Sequence, residues 1–349
     1  MASLLLGIGM HGVGALSSSL CYTPQKKTQG WSWQTYWMAQ ASVCWLLLPC
    51  VVAALTTPHL GSVLTHAPHA AMLNAFLLGM GYGVGGTAFG VSIRYLGFSV
   101  TYALSIGISS VVGTLLPPFL SHHLGSFLYQ PGGGFIFAGI LVATVGIFVS
   151  GLAGRLRDRD AVPGAPIPSF PHLRKGFFFA IAAGLLSAVF GLALAAGQPL
   201  ADTAARYGAG QFQGNIILIF ACGGAFVSTA IICLVLHLRA GSLREYVAFA
   251  DGPEHGLLQS NYALATLTGV LWYGQFFFYG IAHTLMGRFA FVSWALHMTM
   301  LVFFSAFVGL LLREWRSSRP RTILTLIAAL LLLIGSVAAI GWGSFQGAG

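Results

Sequence analysis

The sequence predicts an all-α polytopic membrane protein of ten transmembrane helices in two inverted five-helix repeats. Three observations carry this prediction. Of 349 residues, 56% are hydrophobic and only 7% charged, with a mean hydropathy of +0.82, whereas a soluble domain carries about 25% charged residues. Ten apolar stretches reach the roughly 20 residues needed to cross a hydrocarbon core of about 30 Å. The longest polar connection divides them into five and five, and an odd number per half forces the halves into opposite orientation.

The spans run at 4–23, 35–56, 72–93, 99–120, 133–153, 176–197, 213–237, 258–280, 289–312 and 322–345. Each is about twice the length of a barrel strand, and lipid offers a backbone amide no partner, so each is read as a helix. Span 1 is apolar from Leu4 to Leu20 with no base before it and Lys26 and Lys27 after it. That order is the reverse of a secretory signal, so the segment is read as a membrane helix. In span 2, Pro49 predicts a kink. Trp31, Trp33, Tyr36 and Trp37, beside the two lysines, read as an aromatic belt at the membrane interface.

Span 3 carries Gly79, Gly83, Gly86 and Gly90, small residues four apart that suit close helix approach. The overlapping GxGxxG of Gly81, Gly83 and Gly86 lies mid-span with no strand before it and is not read as a dinucleotide site. Span 4 is expected to end at Pro117 and Pro118. Between spans 5 and 6, residues 154–175 read as a cytoplasmic linker, which makes 1–153 the first repeat and 176–349 the second. Gly79, Gly90 and Gly97 match Gly269, Gly280 and Gly287 at a constant offset of 190, which corroborates a repeat.

The net charge of +9 acquires meaning only by position. All 16 basic residues except Arg206 and Arg288 fall in loops 1, 3, 5, 7 and 9. Bases collect on the cytoplasmic side, so those loops are placed inside and both termini outside; the charge marks orientation, not a nucleic-acid surface. The acids Asp158, Asp160, Asp202, Glu245, Asp251, Glu254 and Glu314 all lie in loops or at span ends. An intramembrane carboxylate normally marks an ion path, and its absence argues against a carboxylate proton pump and against a membrane enzyme built on paired acids. The five cysteines sit in apolar runs without a CxxC pair and read as small buried residues. Outer-loop His59, His66, His69, His122 and His123 have no Cys or acid beside them and are read as solvated, not as a metal site. No cofactor is implied.

What remains in the spans is neutral polar chemistry. His11, Gly14, Ser18 and Tyr22 form one stripe at helical spacing in span 1; Tyr102, Ser105 and Ser109 do so in span 4, and Trp272, Gln275, Tyr279 and His283 in span 8. His297 sits in span 9. Either these stripes pack helices together through hydroxyl bonds, or they line a shared polar cavity. A cavity of indoles, phenols, amides and imidazoles suits a neutral sugar, whose C–H faces lie on rings while its hydroxyls exchange hydrogen bonds. Imidazole is then the one intramembrane group that titrates near neutral pH.

Four segments bear a family resemblance: CYTPQKKTQGWSWQTYW (Cys21 to Trp37), IRYLGFSVTYALSIGISSVVGTLL (Ile93 to Leu116), LWYGQFFFYGIAH (Leu271 to His283) and SWALHM (Ser293 to Met298). They closely resemble the bacterial L-rhamnose/proton symporter family of the drug/metabolite transporter superfamily, in collinear order and nearly end to end. The resemblance implies that superfamily's fold, the bacterial inner membrane, and uptake of a 6-deoxyhexose driven by protons. It also implies a cavity lined by helices 1, 3, 4, 6, 8 and 9. His11, Trp272, Gln275, His283 and His297 match family positions. The chain departs at Arg288-Phe289-Ala290-Phe291, where the family pattern has an acid between two aromatics and this sequence has Ala290.

The resulting expectation is a sugar/proton symporter that binds substrate at mid-membrane between the two halves. Trp272, Tyr82, Tyr102 and Trp294 are the candidate stacking surfaces. Gln275, Ser105 and His11 are the candidate hydroxyl partners, and His297 or His11 takes the proton. An uncoupled facilitator or exporter of a neutral metabolite is the alternative, with the histidines serving as hydrogen-bond partners only.

Overall fold

The computed structural model describes residues 2–21, 23–120, 125, 129–161, 170–247 and 255–346. Tyr22, His122, His123, Asp251 and Glu254 lie outside the described residues, as does the side chain of Arg288. The described residues form helices and connecting turns with no strand, as lipid demands of backbone that must satisfy itself. In chain order the helices are α1 (Ala2–Leu20), α2 (Trp33–Ala41), α3 (Leu48–Thr56), α4 (Leu60–His66), α5 (His69–Leu96), α6 (Phe98–Leu120), α7 (Gly133–Ala161), α8 (Phe170–Ala196), α9 (Gln198–Arg206), α10 (Asn215–Ala240), α11 (His255–Leu285), α12 (Ser293–Leu311) and α13 (Pro320–Gln346).

Among the described residues, nine helical segments are long and apolar enough to cross a membrane, so the chain is a multi-pass membrane protein. The eighth expected span is present as α11. Its 31 residues exceed the length of a span, but Asn261, Tyr262, Trp272, Tyr273, Gln275 and Tyr279 dilute its apolar character and keep it out of the nine.

Several boundaries differ from expectation. Span 2 is α2 and α3 joined by a π-helical stretch, Ser42–Leu47, in which the Leu48 N–H bonds the Val43 carbonyl. Pro49 has no N–H, and its ring crowds the carbonyl four residues back, that of Trp45. The wide turn relieves that clash, so the expected kink takes the form of a π segment. Span 4 does not stop at its prolines: α6 continues to Leu120, because proline in a membrane helix removes a hydrogen bond without forbidding helical backbone.

Within the residues 154–175 read as a linker, helix α7 extends to Ala161 and α8 begins at Phe170. The extension is held by side chains. Asp160 accepts from the Arg319 N–H (2.9 Å) and the Thr322 hydroxyl (2.6 Å). Arg157 bonds Glu314 (3.0 Å) and lies 5.0 Å over the Trp315 ring. The connection after span 2 and the one after span 6 contain short helices, α4 and α9, which share a buried cluster including Val63, Ala67, Leu200 and Ala204. Cys21, Cys44, Cys222 and Cys233 are buried as expected, whereas Cys50 is exposed.

The chain packs as two compact units. The first consists of Met1–Ser19, Gly85–Leu192 and Ala282–Gly349, the second of Leu20–Val84 and Ala193–Ile281. The four boundaries fall in α1 and α8, and in α5 and α11, which are spans 1 and 6 and spans 3 and 8. Each unit therefore takes the same-ranked spans from each half of the sequence.

Within the first unit, α6 is tied to α8 by a hydroxyl ladder. Ser92, just upstream in α5, bonds the Gly176 carbonyl, Ser105 bonds the Ala180 carbonyl (both 3.0 Å), and Ser109 bonds Ser187 (3.1 Å). Within the second unit, α5 and α10 meet through glycines: a Cβ at Gly79 would overlap the Ala221 backbone, and one at Gly83 would overlap Ala225 and Ser228. This is the close approach expected of that stripe. On the other side of the same unit, Gly269 of α11 abuts Val43 and the Gln40 carbonyl of span 2.

The loops that hold Gln29 and Glu245 close over this second unit. One Glu245 carboxylate oxygen accepts from the Ser32 N–H (2.7 Å), the Ser32 hydroxyl (2.7 Å) and the Thr35 hydroxyl, so an acid distant in sequence caps the N-terminus of α2. The Trp31 indole donates to the Glu245 carbonyl (2.9 Å), and Asn261 exchanges hydrogen bonds with the Gln29 backbone. These contacts correct the aromatic-belt reading. Tyr36 and Trp37 are buried, and the Tyr36 hydroxyl lies 2.6 Å from that of Thr268, because the loops and α11 cover a face that the sequence alone would give to lipid.

Candidate substrate and proton site

In the first unit, α1 and α12 bring His11 and His297 together. Their ring centroids are 5.8 Å apart at 63°, both side chains are buried, and the His297 ring is within hydrogen-bond reach of the His11 backbone. Leu4 of α1 and Ala295 and Leu296 of α12 belong to a buried apolar cluster of the same unit. His283, at the end of α11, reaches the Ala290 backbone. The span 1 stripe is a buried face, with His11, Gly14 and Ser18 all inside.

The other candidates of this unit already have structural partners. The Trp294 indole N–H donates to the Ser109 carbonyl (2.9 Å) and lies against Gly113, where a Cβ would strike it. The Ser105 proton goes to the Ala180 carbonyl, which leaves the hydroxyl's lone pairs. Tyr102 packs edge-on to Phe89 at 6.4 Å and is half-buried. The span 4 stripe thus serves helix packing in part, the first of its two readings. An apolar groove of about 460 Å³ between α1, α12 and α13, lined by Ile8, Gly12, Met300, Phe304 and Leu333, has no hydrogen-bonding side chain to offer a sugar.

In the second unit, Trp272 and Tyr82 meet at 6.0 Å, and Trp272 also touches Phe276 at 4.8 Å. Gln275 is buried one turn along α11 from Trp272. The sequence reading passed over what completes this group. Trp45 lies 5.0 Å from Trp272 and 6.0 Å from Tyr82, and Trp37 lies 6.3 Å from Trp45. Gln40 is buried on the same helix. One signal could have found them: span 2 holds an amide and two indoles between the charged loop and Pro49.

The first unit thus gathers two imidazoles and the second a cluster of aromatic rings. A profile of the L-rhamnose-proton symport protein family matches residues 1–345. The chain belongs to this family. Proteins named L-rhamnose-proton symporter from Mannheimia succiniciproducens and Cronobacter sakazakii are each 33% identical, covering 97% of this chain and 98% of their own. One from Escherichia coli (strain ATCC 8739 / DSM 1576 / NBRC 3972 / NCIMB 8545 / WDCM 00012 / Crooks) is 31% identical over the same shares. The L-rhamnose-proton symport family is one of transporters, not enzymes.

Proposed function

We propose that this chain imports L-rhamnose, or a closely related 6-deoxyhexose, by proton symport through alternating access across the bacterial inner membrane. The observation that carries the reading is the buried His11–His297 pair. Of the described acids, Asp158, Asp160, Glu245 and Glu314 sit outside the apolar spans or in a helix's last turn, and Asp202 lies in the short helix α9. In this reading the proton load falls on imidazole. Tyr82, Trp272 and Gln275 in the second unit, and Tyr102, Ser105, Trp294 and the histidines in the first, are the residues assigned to sugar. Trp294 acts there by its ring and Ser105 as an acceptor. A carrier that changes facing side only when both ligands or neither are bound couples the two fluxes.

The same reading takes the fold as ten helices in two inverted repeats, 1–153 and 176–349, with odd loops and bases inside and both termini outside. The reciprocal glycine contacts support it. Gly79 of span 3 packs on span 7, and Gly269, its partner at the offset of 190, packs on span 2. Gly97 and Gly287, another pair at that offset, both have positive φ, 78° and 54°, at the ends of α5 and α11. The pairing of unit boundaries between the halves points the same way.

The experiment is sugar binding to purified protein at pH 6 and pH 8, with sugar-induced alkalinisation measured in proteoliposomes. Symport requires affinity to shift with pH, because coupling is reciprocal. His11→Gln and His297→Gln should abolish that shift. A pH dependence unchanged in both variants refutes the proton assignment, and counterflow without alkalinisation makes the protein an uncoupled facilitator.

A further inference from the structure

Trp45 occupies the hub of the second unit's aromatic group: Trp272, Tyr82 and Trp37 all meet its indole at interplanar angles between 70° and 79°. The side chain is 2% exposed, and its Nε1 has no acceptor among the described residues. The Trp37 Nε1 and the Gln40 Oε1, nearby on span 2, are likewise buried without a partner there. A buried donor without an acceptor is costly, and in a membrane no bulk water relieves it. Hydrogen-bonding capacity that the fold leaves unused thus surrounds a surface of aromatic rings.

The backbone adds an independent observation. Trp45 lies inside the π-helical stretch Ser42–Leu47, four residues before Pro49. Such widened turns recur at functional sites, where they re-aim a side chain. The group around Trp45 is neutral, made of indoles, a phenol and an amide, which selects a neutral polyol over an ion.

We propose that Trp45 contacts the sugar and sets its specificity: the indole N–H donates to one sugar hydroxyl, while the Trp45, Trp272 and Tyr82 rings cover the C–H face. The inference rests on the sugar-transport reading and adds to it a helix outside the expected lining set. The three rings touch one another in this conformation, so the sugar enters by parting them.

The test is calorimetric titration of the full-length protein with L-rhamnose and its monodeoxy analogues. Two variants are compared with wild type: Trp45→Phe, and 3-benzothienylalanine at position 45, which keeps the bicyclic shape without the N–H. L-rhamnose affinity should fall about tenfold in the benzothienyl variant, the effect of one lost hydrogen bond, and further in Trp45→Phe, which also loses ring area. One monodeoxy analogue, lacking the hydroxyl that the indole serves, should bind wild type and the benzothienyl variant equally. Equal weakening of every analogue by the benzothienyl variant, or L-rhamnose affinity unchanged in it, overturns the proposal and leaves the transport reading intact. A wild-type protein that binds no monosaccharide overturns both. If Trp45→Phe misfolds, the benzothienyl variant decides.

Discussion

Replacing Glu245 with alanine removes an acceptor that serves three donors, Ser32 N–H, Ser32 Oγ and Thr35 Oγ1, at the N-terminus of α2. Hydrogen bonds to a charged group contribute about 1.5–3 kcal/mol each, and a carboxylate at a helix start adds about 0.3–1 kcal/mol. The three bonds are not additive, Glu245 is half-buried, and the Ser32 and Thr35 hydroxyls, 2.9 Å apart, can pair with each other once the acid is gone. The net loss is therefore about 2 kcal/mol. That loss falls on the local opening of the 242–247 loop, so the opened population should rise about thirtyfold. Arg244 is exposed beside the acid, and trypsin cleavage after it reads that population when opening is fast. Glu245→Ala should raise the rate of appearance of the fragment ending at Arg244 about thirtyfold. Glu245→Gln keeps an acceptor and should raise it about fivefold, for a loss of roughly 1 kcal/mol. A change of less than threefold in Glu245→Ala would refute the capping argument.

Gly79→Leu forces a side chain into the Ala221 backbone and should prevent a monodisperse folded protein, as read by size-exclusion chromatography, whereas Gly61→Ala, at a position with open space, should not. Ser92→Ala removes the bonds to the Gly176 carbonyl and to Thr101; about 1 kcal/mol of stability is lost, seen as a lowered thermal midpoint with sugar affinity unchanged. Arg157→Ala removes an ion pair with Glu314 and the contact over Trp315, and should cost about 1 kcal/mol, falling as salt is raised. Burial pushes the Tyr246 phenol up, so its stabilising effect is complete below the ordinary value of about 10 and is lost as pH rises beyond it. The drop in thermal midpoint between pH 9 and pH 11 should accordingly be smaller in Tyr246→Phe than in wild type.

The membrane class, the helical spans and the neutral character of the intramembrane chemistry were legible in the sequence, because each follows from local composition against a solvent of fixed thickness. Boundaries were less so. The α7 extension to Ala161 depends on Asp160 meeting Thr322 and on Arg157 meeting Glu314, partners more than 150 positions away. The candidate site was half legible. Stripe periodicity selected the buried faces of His11 and Trp272, but it could not show that Ser105 and Trp294 spend their protons on Ala180 and Ser109. Nor could it reach Trp45, whose orientation departs from the 3.6-residue period wherever a π turn intervenes.

By itself the sequence determined that this chain is a multi-pass membrane protein and that its apolar stretches carry few charges, since hydropathy and charge act residue by residue. Tertiary structure alone decided which polar groups meet. His11 finds His297 and Trp45 finds Trp272 through helix contacts that bridge more than two hundred residues. In a bilayer, whose tails are as apolar as the helices, those pairings are set by glycine contacts and interhelical hydrogen bonds that hydropathy cannot register.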